Sequence, residues 1–332
     1  MVNGENAKNR ITITCIRCKN DTDVFVGTSR FKAQLCRDCF GKRKDMRANM
    51  LNDLTGKEWA SKSKSVEEYI GVRTDKQKAH GACYPLSLAK QQISIYTKKG
   101  QVVFDPFVGV GTTTEAAEEL GRKSIGIELN NDFIKLAKKD IKNNDNHKLI
   151  HDDARNMLAH LEPGSVDFQL TSPPYGNLLK TVKGQFAYKW KEHSTLNSVK
   201  NPIPYSDDKR DLGNLPYPDF LKNIEEIFAS TYTVLKPNAY AVWVVKDYRD
   251  LKNGMPFVNF HSDVINAAER AGFKLWDIKI YDQTKFRPLV VLGYPSNNYY
   301  LNIGHSYLLV FRKYTEGYHA RSTNRKIGKR SS

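Results

Sequence analysis

Short apolar segments alternate with helix-forming segments over residues 101–312, and this alternation constrains the fold more than any other feature of the chain. Segments such as 101–104 and 124–129 are rich in Val, Ile and Phe, and segments 274–281 and 305–312 are the predicted last pair of strands. Strands that alternate with helices form a mostly parallel sheet, because each helix carries the chain back across one face. The sequence therefore predicts an α/β fold with a mostly parallel, seven-stranded sheet and helices on both faces.

Four of the five cysteines form two CxxC pairs near the start of the chain, Cys15 with Cys18 and Cys36 with Cys39. The intervening segment has a length typical of four-thiolate zinc sites, in which each pair supplies two corners of a tetrahedron. Disulfides are the alternative, but thiols stay reduced in the cytoplasm, and cysteines this close rarely fit disulfide geometry. We therefore expect a small zinc-ribbon-like module with a structural zinc ion, because four protein ligands leave no position open for catalysis.

Lysine and arginine outnumber the acidic residues by 52 to 36, which gives a net charge of +16. Such an excess favours a polyanionic partner, since each neutralised phosphate releases condensed counterions. A basic protein without such a partner is the alternative that charge alone leaves open. No segment reaches the roughly 18–20 apolar residues that span a bilayer, and segment 1–10 lacks the apolar core of a secretory signal. These features predict a cytoplasmic protein that binds nucleic acid and no membrane.

Composition divides the chain into four predicted regions. They are a four-cysteine module at 10–45, a charged linker or helix at 46–79, a large catalytic α/β domain at 80–313, and a basic disordered tail at 314–332. Basic and aromatic residues interleave at 176–212 and 282–302. We expect these two loops to contact nucleic acid, and packing or lid loops are the alternative.

The first predicted strand runs into a glycine-rich loop, Asp105-Pro-Phe-Val-Gly-Val-Gly-Thr-Thr113. Gly109 and Gly111 remove side chains that would keep a ligand away from the backbone, and the helix start that follows offers free N–H groups. Glu128 ends the next strand, where its carboxylate suits two ribose hydroxyls, and Asp153 follows the third strand, where it suits an adenine amine. Because parallel strands end at the same edge, these groups predict a nucleoside-sized crevice. The GxG loop alone would also fit a dinucleotide-binding sheet.

The hexapeptide Thr171-Ser-Pro-Pro-Tyr-Gly176 follows another apolar strand. Its two prolines fix φ, so the preceding carbonyls are held rigidly. The Ser172 hydroxyl and the Pro173 carbonyl can accept hydrogen bonds from an –NH2 group, and Tyr175 offers a flat face for a base that has left its stack. The hexapeptide therefore predicts a site for an exocyclic base amine. A Pro-Pro turn without chemistry is the alternative, which the neighbouring crevice disfavours.

Together these motifs resemble those of the S-adenosylmethionine-dependent amino-methyltransferases of DNA, which act on the N4 of cytosine or the N6 of adenine. The resemblance covers roughly residues 80–313, and the segments that carry it are DPFVGVGTT, IGIEL, DDAR and TSPPYG, with weaker similarity at 84–89, 210–214, 234–237 and 305–311. It implies a Rossmann-like class I methyltransferase fold, S-adenosylmethionine as cofactor and double-stranded DNA as substrate.

The resemblance also implies a role for each matching residue. Those expected along the methionine part of the cofactor are Tyr84, Pro85, Asp105, Phe107, Gly109 and Gly111, with Thr112 near the cofactor carboxylate. Glu128 would hold the ribose and Asp153 the adenine ring. Ser172 and the Pro173 carbonyl would orient the target amine in the turn that Pro174 completes, and Tyr175 would stack on its base.

Within this family, a serine before the Pro-Pro pair favours cytosine-N4 as the target. Three alternatives stay open: methylation of adenine-N6, methylation of an RNA base amine, and a DNA-binding zinc protein with an inactive methyltransferase domain. Methylation of a cytosine ring carbon is disfavoured, because it needs a cysteine nucleophile and Cys83 is the only cysteine outside the zinc pairs. A cognate restriction nuclease is a further expected partner, and the sequence predicts no oligomeric state.

Overall fold

The computed structural model describes residues 10–16, 18–39, 49–71, 74–80, 83–143, 145–175, 208–250, 254–286 and 297–315. The chain forms two compact units, residues 1–59 and 60–332. Most of the two predicted nucleic-acid loops, at 176–207 and 287–296, lies outside the described residues, as does the predicted tail from 316 onward. Within the described residues, every helix is too short or too polar to cross a bilayer.

The N-terminal unit contains a two-stranded antiparallel hairpin. Strand β1 (Arg10–Thr14) pairs with β2 (Asp21–Phe25). Helix α1 (Ser29–Ala33) follows and is capped by the Thr28 hydroxyl, which accepts a hydrogen bond from an N–H group of the first turn. A small cluster of buried side chains consists of two of the cysteines and Leu35. A core this small calls for a further constraint, such as a metal ion.

The second unit contains one large sheet. Its strands are β3 (Val66–Glu67), β4 (Val102–Asp105), β5 (Lys123–Glu128), β6 (His147–His151), β7 (Val166–Thr171), β8 (Leu235–Val245), β11 (Lys274–Asp282) and β12 (His305–Arg312), in the order β3-β11-β12-β8-β7-β4-β5-β6. Strands β4 to β8 are parallel to one another, and β12 pairs antiparallel with β8 and β11. The predicted seven-stranded, mostly parallel sheet is confirmed, and the two-residue β3 adds an eighth strand beside β11.

Helices cover both faces of the sheet, as the alternation predicts. The short helices α2 (Gly56–Lys62) and α3 (Asp75–His80) precede the helices that pack on the sheet. The packing helices are α4 (Leu86–Tyr96), α5 (Thr112–Glu119), α6 (Asn131–Lys138), α7 (Tyr217–Val234) and α8 (Phe260–Arg270), with 3-10 turns at Ala154–Ala159, Leu212–Asn214 and Thr284–Phe286. Helices α7 and α8 form one core with the sheet, around Phe228 and Trp243. Helices α4 and α5 form a second core, around Leu88 and Phe168. A separate hairpin of β9 (Tyr248–Asp250) and β10 (Met255–Val258) follows β8.

Trp243 shows how the first core accommodates polar groups. Its ring stacks on Phe228 with the ring centroids 4.0 Å apart, and both side chains are fully buried. The indole N–H donates to the side-chain oxygen of Gln169 at 2.9 Å, and the Gln169 amide donates to the Thr231 hydroxyl at 3.0 Å. Each of these buried groups therefore has a partner, which avoids a cost of about 1–3 kcal/mol for an unsatisfied one.

The parallel strands β4 to β8 place their carboxyl ends at one edge of the sheet. Asp105, Glu128 and Thr171 are the last residues of β4, β5 and β7. Because β12 runs antiparallel to β8, its first residue, His305, lies at the same edge. The sheet therefore collects at this edge polar residues that are far apart in the sequence.

Candidate functional site

A cavity opens at the edge of the sheet where β4, β5 and β7 end. Six separate segments of the chain line it, with the residues His80, Pro106, Phe107, Glu128, Leu129, Asp153, Ala154, Ser172, Pro173, Pro174, Tyr175, Arg210, Asp211 and Leu212. The amine motif predicted at 172–175 thus shares one cavity with three predicted cofactor residues, Phe107, Glu128 and Asp153.

Asp105 connects the glycine-rich loop to the amine motif. It ends β4 and is only 2% exposed. Its Oδ1 accepts a hydrogen bond from the Thr171 hydroxyl at 2.6 Å and another from the Phe107 N–H at 3.0 Å. Its Oδ2 accepts from the hydroxyls of Tyr84 and Thr113. Burial raises the pKa of Asp105, although these donors oppose the shift. One carboxylate therefore holds together the two strand ends that carry the motifs.

The glycine-rich loop requires glycine at two positions. Gly109 has a φ of +52° and Gly111 a φ of +88°, in the left-handed region that favours glycine. A Cβ on Gly109 would lie 2.8 Å from Nε2 of His80, and a Cβ on Gly111 would lie 2.9 Å from Cβ of Ala137. The loop therefore packs against α3 on one side and α6 on the other, without room for a side chain at either contact.

Glu128 ties this loop to the neighbouring strand. Its carboxylate accepts hydrogen bonds from the N–H groups of Gly109 and Asn130, both at 2.9 Å. Burial raises the pKa of Glu128 to about 7, although the two N–H donors oppose the shift. Glu128 therefore changes charge near neutral pH, and any ligand that donates hydrogen bonds to it favours its charged form.

Asp153 is already engaged by a neighbouring cation. The Nε of Arg155 lies 3.0 Å from Oδ1 and 3.1 Å from Oδ2 of Asp153, and the Arg155 N–H donates to Oδ1 at 2.9 Å. Arg155 also donates to the Asn223 side chain at 2.8 Å and to the Arg210 carbonyl at 3.0 Å. A carboxylate has about four acceptor positions, so Arg155 uses most of those on Asp153. The contact of Asp153 with an adenine amine stays a prediction.

Two aromatic rings contact the ring of Tyr175. Its ring centroid lies 6.1 Å from that of Tyr248, at an interplanar angle of 87°, and 5.2 Å from that of Phe260, at 56°. Aromatic pairs of this kind contribute about 0.5–1.5 kcal/mol beyond their buried area. Because Tyr175 also lines the cavity, its ring is fixed in direction and still accessible to a ligand.

The two residues that hold Tyr175 are fixed by a carboxylate–imidazole pair. Asp247 directly precedes Tyr248 and is 1% exposed, and His261 directly follows Phe260 in the first turn of α8. The Asp247 carboxylate accepts the His261 N–H at 3.0 Å and lies 2.8 Å from His261 Nδ1. Asp247 therefore fixes the start of α8 and, through it, the rings that contact Tyr175. No sequence motif predicts this pair.

Two further parts of the cavity wall are His80, for which the sequence predicts no role, and segment 210–212, which is the end of the predicted nucleic-acid loop 176–212. His80 ends α3, and its ring packs on Phe133 with centroids 4.6 Å apart. Nothing in the local sequence marks it. Segment 210–214 does carry a signal, because Asp before a Leu-Gly-Asn sequence is typical of a side-chain-capped turn. The Asp211 carboxylate indeed accepts the Gly213 N–H at 2.8 Å.

Helix α3 is attached to α5, the helix that starts at the glycine-rich loop. The Gln77 amide donates to the Thr112 hydroxyl at 3.0 Å, and both side chains are buried. The Lys76 ammonium lies 2.8 Å from the Glu115 carboxylate and 2.7 Å from that of Asp140. The Thr112 hydroxyl, predicted to lie near a cofactor carboxylate, therefore contacts Gln77. Pro85, another predicted cofactor residue, directly precedes α4 as its N-cap.

The four predicted zinc ligands come together in the N-terminal unit. The Sγ atoms of Cys15, Cys18, Cys36 and Cys39 all lie within 4.8 Å of one another, and those of Cys18 and Cys36 are 3.8 Å apart. Around a tetrahedral zinc ion with Zn–S bonds of about 2.3 Å, neighbouring sulfurs are about 3.8 Å apart. The cluster is therefore compatible with a four-thiolate zinc ion.

Residues 15–139 match the family model described as DNA methylase. This segment contains the four cysteines, the glycine-rich loop and Glu128, and it ends before the amine motif at 171–176. The resemblance to the amino-methyltransferases that the motifs predict is confirmed.

Parts of the chain are also similar in sequence to known type II methyltransferases. The chain is 43% identical over 68 residues to the type II methyltransferase M.HindIII of Haemophilus influenzae, a match over 20% of this chain and 22% of that protein. It is 41% identical over 91 residues to the type II methyltransferase M.BglI of Bacillus subtilis, a match over 27% of this chain and 26% of that protein. The matches thus span about a quarter of each relative, from 22% to 26%.

A solved structure with a similar chain course is that of TrmN from Thermus thermophilus. It is 16% identical, with a TM-score of 0.42, and the match covers 74% of this chain and 55% of that one.

Proposed function

We propose that this protein is a DNA methyltransferase that transfers a methyl group from S-adenosylmethionine to the exocyclic amine of a base, with cytosine-N4 as the target. The observation that carries the proposal is the 2.6 Å hydrogen bond from Thr171 to Asp105, which joins two motifs that are 66 residues apart. Through it the glycine-rich loop and the amine motif share one cavity. Transfer between two ligands requires such adjacent binding sites.

The residues beside the glycine-rich loop fit S-adenosylmethionine. Two carboxyl groups lie at this part of the sheet edge, Asp105 at the end of β4 and Glu128 at the end of β5, and their ionised forms suit a ligand with a positively charged sulfonium. The charge of Asp153 is paired with Arg155. Glu128 would accept hydrogen bonds from the ribose hydroxyls. The N-terminus of α5, which begins after Gly111, offers N–H groups to the carboxylate of the methionine part.

When bound, S-adenosylmethionine supplies a methyl group whose C–S bond breaks, with the electron pair kept by sulfur, as the N–C bond forms and the nitrogen loses a proton to water. An exocyclic amine is a weak nucleophile, because its lone pair is conjugated with the ring. Acceptors at the Ser172 hydroxyl and the Pro173 carbonyl would draw the N–H groups out of the ring plane and return the lone pair to nitrogen. Catalysis would then depend on positioning more than on a strong base.

Tyr175 supplies the platform for the target base in this proposal. A base that has left the duplex loses its stacking partners, and stacking on an aromatic side chain restores about 1–3 kcal/mol. The contacts of Tyr175 with Tyr248 and Phe260 support this role, because they fix the ring before a base arrives. Ser172 and Tyr175 would thus hold the amine and the ring of the same base.

Cytosine-N4 is proposed over adenine-N6 because a serine precedes the Pro-Pro pair, as the family resemblance implies. DNA is proposed over RNA because the family model that matches residues 15–139 is described as DNA methylase. A cognate restriction nuclease is proposed as a partner on the family resemblance alone. The net charge of +16 suits any nucleic acid and does not separate the two substrates.

Transfer of tritium from labelled S-adenosylmethionine to plasmid DNA tests the proposal. We expect labelled DNA that yields N4-methylcytosine on digestion to nucleosides, and single-molecule sequencing then maps the modified sites. Detection of N6-methyladenine instead would show that adenine-N6 is the target. Label found only in an RNA substrate would show that RNA, not DNA, is methylated. Loss of S-adenosylmethionine binding altogether would favour an inactive domain.

A matched pair of serine variants separates the amine site from the cofactor site. Ser172→Ala removes the proposed acceptor and is expected to reduce methyl transfer at least about tenfold, with an unchanged Kd for S-adenosylmethionine. Ser165→Ala removes the hydroxyl of an exposed turn, where it donates to the Glu162 carbonyl, and should leave the rate unchanged. Equal rates for the two variants would remove Ser172 from the mechanism.

We also propose that the four cysteines bind a structural zinc ion. The spacing of their Sγ atoms supports this proposal, as does the small buried cluster of the N-terminal unit. Zinc would join the two CxxC turns, and its four thiolates would complete the coordination shell. No reaction would take place at this ion, because no position would be left for water or substrate.

A further inference from the structure

Two large apolar side chains stand out from the surface near the start of β12. Tyr299 is 82% exposed and Leu301 is 65% exposed. Single exposed apolar residues are common on protein surfaces. The backbone at Leu301 and just after it, however, accepts hydrogen bonds from two cationic side chains that follow β8.

The tethers come from the residues that follow β8. The Lys246 ammonium donates to the Ile303 carbonyl at 2.7 Å. The Arg249 guanidinium donates to the Leu301 carbonyl at 3.2 Å and to the Pro256 carbonyl at 2.8 Å. Hydrogen bonds from charged donors are stronger than those between neutral groups. Segment 301–303 is therefore fixed at two alternate carbonyls.

Two aromatic rings contact the Arg249 guanidinium that forms one of these tethers. The guanidinium carbon lies 5.0 Å from the ring centroid of Tyr300 and 5.4 Å from that of Phe257. Cation–π contacts at such distances contribute roughly 0.5–1 kcal/mol each at exposed sites. Tyr300 thus packs against the tether, and its neighbours Tyr299 and Leu301 are presented to solvent on an anchored backbone.

This anchored segment belongs to the same sheet edge as Tyr175. Arg249 follows Tyr248, whose ring contacts Tyr175 at 6.1 Å. Lys246 directly follows β8, the strand next to β7, which leads into the amine motif. The side chains that hold the exposed apolar segment therefore come from residues one and two positions away from Tyr248, whose ring contacts Tyr175.

We propose that Tyr299 and Leu301 form an apolar wedge that enters the DNA duplex and occupies the space left by the target base. This inference rests on the proposed function, since only an enzyme that acts on a base taken out of a duplex needs such a wedge. A flipped base leaves a gap in the stack, and apolar side chains that enter between base steps replace the lost contacts. A rigid mount is needed because the wedge must push against stacking, and the Lys246 and Arg249 tethers provide it.

The test compares two duplexes that carry a site mapped by plasmid methylation. One is fully paired, and the other has a mismatch opposite the target base, which lowers the cost of taking that base out of the stack. The double variant Tyr299→Ala/Leu301→Ala is expected to lose about 10- to 100-fold in single-turnover rate on the paired duplex. On the mismatched duplex the loss should be less than about threefold, because the wedge is no longer needed.

Ile70→Ala is the matched control, since Ile70 is an apolar residue 74% exposed and outside the anchored segment. It should match the wild type on both duplexes. The Kd of each variant for S-adenosylmethionine verifies its fold. Equal losses of the double variant on the two duplexes, or no loss on either, would overturn the wedge. A wild-type protein that methylates no DNA would instead overturn the proposed function.

Discussion

The four-cysteine cluster and the cavity at the sheet edge are built in opposite ways. The cluster takes four identical donors from two short turns within 15–39, so the spacing of the chain alone brings them together. The cavity takes unlike residues from six segments between His80 and Leu212, and only the strand order makes them neighbours. A site of the first kind can be located from sequence, whereas a site of the second kind reveals only those members that sit in recognisable motifs.

The cysteine cluster gives the largest expected effect. Cys18→Ser is expected to reduce the zinc content from about one ion per chain to nearly none and to remove hydrogen-exchange protection from residues 10–39, because zinc contributes about 10–16 kcal/mol to the folding of such sites. Zinc content by mass spectrometry of the metal and exchange by mass spectrometry of the peptides measure both effects. Cys83→Ser, at the cysteine outside the cluster, is the control. Equal zinc loss in both variants would contradict a site defined by spacing.

Tyr175 tests the cavity at a residue within a motif. Tyr175→Ala is expected to reduce methyl transfer by about 100-fold or more, through lost stacking and misplacement of the base, and to leave the Kd for S-adenosylmethionine near the wild-type value. Tyr314→Ala is a matched control, because Tyr314 packs on Trp276 away from the cavity. Unchanged turnover in Tyr175→Ala would show that Tyr175 does not take part in methyl transfer.

Asp247 tests the cavity at a residue outside every motif. Asp247→Asn weakens the contact with His261 and so loosens the rings that hold Tyr175, and we expect methyl transfer to fall about tenfold, since small misplacements of reacting groups are costly. The effect should appear in kcat and in binding of DNA, without a change in the Kd for S-adenosylmethionine. The control is Arg270→Gln on the same helix, which loses an exposed ion pair with Glu225. If both variants behave alike, Asp247 acts only through the stability of α8.

Glu128 gives the smallest effect, a pH dependence of cofactor binding. The pKa of Glu128 is raised to about 7 by burial, and ribose hydroxyls bind its ionised form. The affinity for S-adenosylmethionine should therefore fall as the pH drops through 7, by up to about tenfold between pH 8 and pH 6. Calorimetry at several pH values measures it. Glu128→Gln cannot ionise and should lose this dependence, so a persistent slope in that variant would assign it to another group.

The fold was largely predictable, because apolar strands separated by helical periods leave few arrangements of the chain. The two-residue β3 was not, since Val66 and Glu67 lie in a charged stretch with no strand pattern and pair with β11 only in the folded sheet. The same stretch contains α3, whose residues Lys76 and Gln77 form contacts with α5. Short elements of this kind depend on tertiary contacts that a local pattern does not encode.

The candidate site was predictable where a strand end and a motif coincide, as at Asp105, Glu128 and Ser172. The pairing of Asp247 with His261 was beyond sequence reasoning, because it depends on where the chain re-enters the sheet edge after the β9–β10 hairpin. His80 shows the same limit, since its position over Gly109 follows from the docking of α3. Residues such as His80 and Asp247, which position other residues through tertiary contacts, lie in no recognisable motif and cannot be identified from a single sequence.

The shared carboxylate of Asp105 has a consequence for how such a chain can change over evolutionary time. Both oxygens of Asp105 are committed, one to the side of Thr171 and the other to the hydroxyls of Tyr84 and Thr113. A glutamate there would add one methylene to both connections at once, and no single change on either side would restore them. The loops around the cavity can therefore change and recognise new DNA sequences. The distance between the glycine-rich loop and the amine motif cannot change in the same way, because the Asp105 side chain sets it.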